Sequence, residues 1–159
     1  MENRARLMQE VTDAMISLWG ASRVGMHLAP RCDSHAMDDS NAAATFGYIA
    51  RELDRHGLPF VISRERQAPD SIGFDLRRAF GGVCISNEGF RQASAEQILA
   101  NDGADAVAFG KMFIGNPDLI RRFAEDATLN VPVPATFCAN GATGYPDYPA
   151  LPTVASKAA

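Results

Sequence analysis

The chain has few cysteines, no large excess of positive or negative charge and no long hydrophobic run. Its three cysteines among 159 residues are an odd and sparse set, which excludes a disulfide-rich scaffold and indicates a reducing compartment. The 15 Lys and Arg against 19 Asp and Glu give a net charge of −4, whereas nonspecific nucleic-acid binding needs a basic face. No run approaches the ~20 apolar residues of a membrane-spanning helix, and the opening MENRARLMQE is too polar for a signal peptide. We therefore expect a cytoplasmic protein that binds neither nucleic acid nor membrane.

Apolar residues, by contrast, are sufficient for a core. They make up 47% of the sequence, and a chain of ~150 residues buries about 68–70% of its unfolded surface. The length suits one domain of ~100–200 residues. It is too short for a closed eight-stranded α/β barrel, which has typically ~250 residues and rarely under ~200.

Short apolar runs alternate with helical patterns along the chain. A helix is predicted over 2–18, where apolar residues recur at spacings of three and four and form one stripe. The predicted strands cover 24–30, 59–63, 83–86 and 106–109. Parallel strands need a crossover connection, so this alternation indicates parallel βα units. The runs are almost continuously apolar, which is typical of strands covered on both faces. The predicted fold class is α/β, with one leading helix and then four βα units.

Capping residues mark the ends of other helices. Asn41 starts a helix that Gly57 ends. Asn116 is predicted to cap a later helix with its side chain, with Pro117 at the first helical position. Two further helices are predicted over 70–80 and around 93–100. Residues 131–152 are rich in Pro, Gly and Tyr and are predicted to form an ordered, turn-rich tail.

The carboxyl ends of the predicted strands are the expected ligand-binding edge, as in other parallel α/β folds. The residues at these positions are His27 on the first strand, Arg64, Glu65 and Arg66 after the second, Asn87, Glu88 and Gly89 after the third, and Gly110 and Lys111 after the fourth. The turns that contain Gly89 and Gly110 would offer backbone N–H groups to an anion, with Lys111 as a counter-charge. The alternative is that both are ordinary turn glycines and Lys111 is solvated, because neither a P-loop nor a GxGxxG motif is present.

Five segments in order carry a family resemblance: ENRARLMQEV, VGMHLAP, GYIARELDRHGLPF, ADAVAFGKMFIGNPDLIRRF and ATFCANGATGYPDYPAL. Over residues 2–151 the chain resembles the old yellow enzyme family. These are FMN-dependent NAD(P)H:ene reductases and include the N-ethylmaleimide and xenobiotic reductases. The resemblance implies a TIM barrel, noncovalently bound FMN, and hydride transfer from NAD(P)H through the flavin to an activated alkene.

The resemblance covers only the second half of that barrel, from helix four through strands five to eight. We therefore expect a TIM-barrel-derived half barrel over 1–152 and a flexible tail over 153–159. In the family, the first half supplies the pair that binds the substrate carbonyl, a threonine and a glutamine near the flavin, and the tyrosine that protonates the alkene. None has a counterpart in this chain, so we expect no catalytic residue and no turnover by the chain alone. Cys32 and His35 lack a second pair of metal ligands, so no metal site is expected.

The resemblance also assigns the residues that would bind the cofactor: His27, Asn87, Glu88, Gly89, Gly110, Lys111 and Cys138. Several of them depart from the family pattern. His27 stands where the family has an arginine, and Glu88 places a carboxylate where a small segment meets the phosphate. Lys111 replaces an arginine, which keeps the charge and loses the bidentate geometry. Cys138 replaces a tyrosine. The alternatives are that His27 is satisfied by its strand neighbours and that Cys138 is an inert small residue.

Three functional hypotheses follow. The chain is the flavin-binding half of such a reductase and works with a complementary N-terminal half barrel. Alternatively, it is a degenerate, non-catalytic half barrel that forms a homodimer, because four parallel strands leave two open edges and an exposed inner face. A third hypothesis is a small anion- or nucleotide-binding module.

Overall fold

The computed structural model describes residues 1–31, 39–139 and 141–152. The tail predicted over 153–159 and the pair Cys32 and His35 therefore lie outside the described residues. The chain divides into two compact units, 1–108 and 109–159, and each is described by itself. None of the described helices is long and apolar enough to cross a membrane.

The first unit contains a parallel sheet of four strands in the order β1-β2-β3-β4. The strands are β1 (Met26–Arg31), β2 (Phe60–Glu65), β3 (Val83–Asn87) and β4 (Ala106–Ala108). Each strand pairs with the next along the chain, so that His27, Ile62, Ile85 and Ala106 form one row across the sheet. This confirms the α/β fold class with four parallel strands.

One helix precedes the first strand, and the others connect the strands. In the first unit they are α1 (Glu2–Trp19), α2 (Ala42–Arg55), α3 (Gly73–Ala79) and α4 (Gln92–Ala100). The predicted start of α2 is confirmed, because the Asn41 side chain accepts a hydrogen bond from the Ala44 N–H at 3.2 Å. Its predicted end is confirmed as well, since Gly57 follows at a φ of 72°, a conformation that glycine adopts without steric cost.

The second and third strands extend further than predicted. Arg64 and Glu65 are the last residues of β2, and Asn87 is the last residue of β3, so none of the three follows its strand. Arg64 pairs with Asn87, and Glu65 pairs with Arg31 at the end of β1. The strands were predicted from their apolar runs, but the hydrogen bonds between backbones continue past those runs into polar residues.

Only one face of the sheet is fully buried. On β2 the alternate residues Val61, Ser63 and Glu65 are buried, whereas Ile62 and Arg64 between them are half-buried. The core joins the buried face to α1, α2 and α3. The apolar runs suggested cover on both faces, whereas the described strands show the exposed inner face that was expected of a half barrel. We call the other side the open face, and its members are His27, Phe60, Ile62, Arg64, Val83, Ile85 and Asn87.

Helix α1 has the predicted apolar stripe, but the core covers only one side of it. Its inner face contacts the core through Ala5, Met8 and Ile16, and Thr12 is also buried. Its other apolar side chains, which we call the outer stripe, are exposed: Leu7 at 73%, Val11 at 52%, Met15 at 42% and Leu18 at 77%. At about 100° per residue, the outer stripe lies about 80–160° around the helix from Ala5, and Met15 adjoins Met8 of the inner face. Spacings of three and four do not show how much of this wide apolar stripe the core covers.

The second unit contains α5 (Lys111–Gly115), α6 (Leu119–Ala124) and the turn-rich segment that follows. Asn116 does not cap α6. Its buried side chain donates to the Met112 carbonyl at 2.9 Å and accepts from the Asn130 N–H at 2.7 Å, so it ties α5 to the segment after α6. Sequence pattern cannot distinguish these two uses of an asparagine before proline.

A buried arginine holds the tail against α6. Arg122 is 5% exposed and donates to Asp118 at 2.6 Å, to the Pro149 carbonyl at 2.7 Å and to the Thr128 carbonyl. The second carboxylate oxygen of Asp118 accepts from the Leu151 N–H at 2.7 Å. This Leu151 hydrogen bond, followed by that from Arg122, lowers the pKa of Asp118. The described part of the tail is therefore attached to the unit, as predicted for an ordered tail.

Candidate functional site

The carboxyl ends of β2 and β3 bring three of the proposed site residues together. Arg64 and Asn87 are paired in register, and Glu88 follows Asn87 directly. The Arg64 Nε donates to Glu88 Oε2, and the Asn87 side chain donates to the Ala108 carbonyl of β4 at 2.8 Å. The polar side chains at this edge are thus bound to one another and to the backbone.

Glu88 adopts a backbone conformation that favours glycine. Its φ is 93°, and Gly89 follows at 76°. A side chain in the left-handed region costs about 1–2 kcal/mol relative to the right-handed one. About two thirds of the Glu88 side chain is buried in its ion pair with Arg64, its exposed fraction being 32%. The turn therefore holds a carboxylate at a position where the backbone itself does not favour a side chain.

His27 lies on the open face, in the row of Ile62 and Ile85, and it is exposed. Its neighbours on the sequence, Met26 and Leu28, point to the core side. A ligand that covers the open face would thus reach His27. An imidazole is shorter than a guanidinium and lacks its planar fork of donors, so it cannot reproduce the bidentate contacts of an arginine.

A buried carboxylate supports this edge of the sheet, where the sequence placed it only as a candidate at the ligand-binding edge and did not indicate a structural role. Glu65 is 1% exposed and accepts from the Ser71 hydroxyl at 2.7 Å, from the Ile72 N–H at 3.0 Å and from Arg31 at 3.3 Å. Arg31 also donates to Asp70 at 2.7 Å. Glu65 thereby satisfies an amide at the start of α3, which has no side-chain cap of its own. The sequence signal that could have indicated this buried carboxylate is a charged residue at the end of an apolar run.

Gly110, Lys111 and Cys138 belong to the second unit. Gly110 precedes α5 and a Cβ there would meet no atom within 4 Å, while Lys111 is exposed as the first residue of that helix. The preceding Phe109 packs edge-on against Phe123 of α6, with ring centroids 5.3 Å apart. Lys111 is thus an accessible cation next to the open space at Gly110.

The two described cysteines differ in environment. Cys138 is exposed at a φ of 56°, and its N–H donates to the Tyr145 hydroxyl at 2.8 Å. Cys84 is buried on β3, and burial raises the pKa of its thiol to about 11. Among the described residues no group of three or more His, Cys, Asp or Glu is arranged to hold a metal ion.

The chain is similar to curated proteins over almost its whole length. It is 35% identical over 163 residues to putative 12-oxophytodienoate reductase 2 of Oryza sativa, which aligns with 95% of this chain and 43% of its own length. It is 35% identical over 152 residues to a probable flavin mononucleotide-dependent alkene reductase of Leishmania infantum, with coverage of 94% and 42%. No protein-family profile matches.

Solved structures agree with these relatives. Morphinone reductase in complex with tetrahydroNAD superposes with a TM-score of 0.88 at 40% identity, covering 96% of this chain and 42% of that one. The old yellow enzyme from Trypanosoma cruzi gives a TM-score of 0.86 at 33% identity, covering 92% and 40%. The fold thus defines a half barrel of the kind found in TIM-barrel flavin oxidoreductases. Within that class, the chain is homologous to the C-terminal half of the old yellow enzymes, and it spans less than half the length of the relatives it matches.

The relatives imply FMN as the cofactor, and the residues present fit it only in part. Gly89 and Gly110 leave open space at both turns, and Lys111 is an exposed cation in the second unit. Glu88 does not fit a phosphate, because its carboxylate lies at the turn and already pairs with Arg64. The first unit therefore provides an open sheet face for a flavin and a turn that does not suit the phosphate group.

Proposed function

We propose that the chain is the flavin-binding half of an alkene reductase of the old yellow enzyme type and that it acts together with a complementary N-terminal half barrel. The observation that carries this proposal is the match of 96% of the chain to morphinone reductase at a TM-score of 0.88. The residues proposed to bind the flavin are His27, Asn87, Glu88 and Gly89 of the first unit and Gly110, Lys111 and Cys138 of the second. The electron donor would be a nicotinamide nucleotide.

The sheet itself supports a requirement for a partner. The strands β1 and β4 are its outer strands, and each has one edge that pairs with no other described strand. The open face leaves Val83 45% exposed, and the outer stripe of α1 adds further apolar surface. A protein of ordinary stability does not leave such edges and patches uncovered. A half barrel that supplies four further strands would cover the edges and the open face together.

Flavin titration is the direct test of this function. FMN or riboflavin fluorescence should be quenched when the chain is added together with the N-terminal portion of morphinone reductase. His27→Ala should weaken the quenching, whereas Arg55→Ala, which changes an exposed residue on α2, should not. Absence of quenching with both flavins in the presence of the partner would contradict the proposal.

Turnover separates the roles of the two halves. The chain alone should not oxidise NADPH or NADH with cyclohexenone or N-ethylmaleimide, because a general acid must reach the carbon that takes the proton and the chain lacks the family's tyrosine. Turnover by the purified chain alone would show that another residue performs this step.

Self-association is the second candidate, and the outer stripe of α1 is the observation that favours it. In this alternative the chain is a non-catalytic half barrel whose second copy covers the open face and the unpaired edges. Light scattering separates the alternatives: a homodimer that binds no flavin would favour self-association, and a flavin-binding complex with the complementary half would favour the reductase. In either case we place the protein in the cytoplasm, since sparse free thiols suit a reducing compartment.

A further inference from the structure

We propose that Glu88 is an internal anion that closes the turn after β3 to phosphate, so that this site takes a flavin without a phosphate group. The inference rests on the proposed flavin-binding function and names the ligand class of the same site. It starts from the disagreement between the Glu88 carboxylate and the phosphate of FMN.

The backbone of the turn after β3 is strained at Glu88. Glu88 and Gly89 both have positive φ, at 93° and 76°. Glycine adopts this conformation readily, whereas a glutamate is strained in it. The strain persists only when surrounding contacts stabilise it. The contact that does so is the ion pair with Arg64.

The ion pair of Arg64 and Glu88 lies at the carboxyl ends of β2 and β3. Arg64 is paired in register with Asn87, so its guanidinium extends from the open face beside the residue that precedes Glu88. Its Nε donates to Glu88 Oε2. The Asn87 amide is already bound to the Ala108 carbonyl. A phosphate that approached the turn would therefore have to displace the carboxylate from Arg64 and then remain close to it.

The charge of Glu88 affects a ligand that carries a phosphate differently from riboflavin, which carries none. Two like charges repel at close range even in water, and the repulsion grows at partly buried positions. The Glu88 side chain is two thirds buried, so its charge is only partly screened. A phosphate dianion meets this repulsion and loses Arg64 as a partner. Riboflavin carries no charge at that end and meets neither penalty.

Variants of Glu88 separate charge from strain. Glu88→Gln removes the charge and keeps the side chain, and Glu88→Gly removes both the charge and the strained conformation. Glu52→Gln is the matched control, because Glu52 forms a comparable ion pair with Arg55 on α2 and its replacement changes the net charge equally. Arg64→Gln combined with Glu88→Gln tests whether the released guanidinium is the phosphate ligand.

Titration of the isotopically labelled chain with inorganic phosphate, followed by NMR at the amides of residues 87–90, measures the inference directly. Glu88→Gln and Glu88→Gly should bind phosphate at least about tenfold more tightly than the unaltered chain, which corresponds to about 1.4 kcal/mol. Glu52→Gln should bind like the unaltered chain, and the Arg64 double variant should lose the gain. Equal affinity in the unaltered chain and both Glu88 variants, an equal gain in Glu52→Gln, or no binding by any variant would each overturn the inference.

Flavin titration of the complex with a complementary half then separates this inference from the proposed function. The unaltered chain should prefer riboflavin to FMN, and Glu88→Gly should reverse that preference by raising the affinity for FMN alone. If the Glu88 variants gain phosphate binding and neither flavin binds, the inference stands and the proposed function fails. If FMN binds more tightly than riboflavin to the unaltered chain, the function stands and the inference fails.

Discussion

Replacement of the buried Glu65 by glutamine should strongly destabilise the first unit. The carboxylate accepts from three groups, namely the Ser71 hydroxyl, the Ile72 N–H and the Arg31 guanidinium. Glutamine has one acceptor oxygen, and its NH₂ group would face at least one of these donors. A hydrogen bond to a charged group contributes about 1.5–3 kcal/mol, and breaking a buried ion pair costs about 3–5 kcal/mol. The expected loss in unfolding free energy for Glu65→Gln is therefore about 3–5 kcal/mol.

Asp70 provides the control for this prediction. It binds the same Arg31, but its side chain is 79% exposed. An exposed ion pair contributes about 0–1 kcal/mol, so Asp70→Asn should change stability by no more than that. The comparison separates the buried carboxylate from the loss of one partner of Arg31.

Urea unfolding monitored by circular dichroism measures both variants. With a slope of about 2 kcal/mol per molar urea, Glu65→Gln should lower the midpoint by about 1.5–2.5 M. Asp70→Asn should lower it by less than about 0.5 M. A change of under about 1 kcal/mol for Glu65→Gln, or an equal change in both variants, would refute the reasoning that the buried carboxylate holds the start of α3 against the sheet.

Three further predictions concern other parts of the chain. Leu7→Ser on the outer stripe should weaken the association that light scattering measures. Because Leu7 is 73% exposed, the same change should alter the stability of the dissociated chain by no more than about 0.5 kcal/mol. Unchanged association would exclude the stripe from the interface. At pH 8 a thiol with a pKa of about 11 is about one thousandth thiolate, so peptide mapping should find Cys138 alkylated by iodoacetamide long before the buried Cys84. The lowered pKa of Asp118 means that its contribution to stability is present above about pH 4 and is lost as the pH falls through its folded value; Asp118→Asn should flatten the acid branch of stability against pH, and an unaltered branch would contradict this.

The parallel sheet was predictable because its signals are local. The spacing of the apolar runs indicated the parallel βα units, and Asn41 and Gly57 marked the ends of α2 through chemistry confined to their own turns. The C-terminal half of the old yellow enzymes was recognisable from motifs in continuous sequence.

The remaining features depend on contacts between distant residues. Asn116 binds Asn130 instead of capping α6, and Glu65 binds residues 34 positions before and seven after it. Glu88, in its left-handed conformation, pairs with Arg64 in the neighbouring strand. Such pairings have no local sequence signal, so the proposed site residues could be named from the resemblance but their partners could not.

The order in which the two units can form during synthesis follows from their hydrogen bonds. In the first unit each strand pairs with the strand that precedes it, so the sheet can grow as successive βα units leave the ribosome. In the second unit the Arg122 guanidinium binds the Pro149 carbonyl, 27 residues later, and Asp118 accepts from the Leu151 N–H, 33 residues later. These two hydrogen bonds cannot form until residues 149 and 151 have been made. The first unit can therefore be assembled on the ribosome, whereas the second is completed only after residue 151 has emerged.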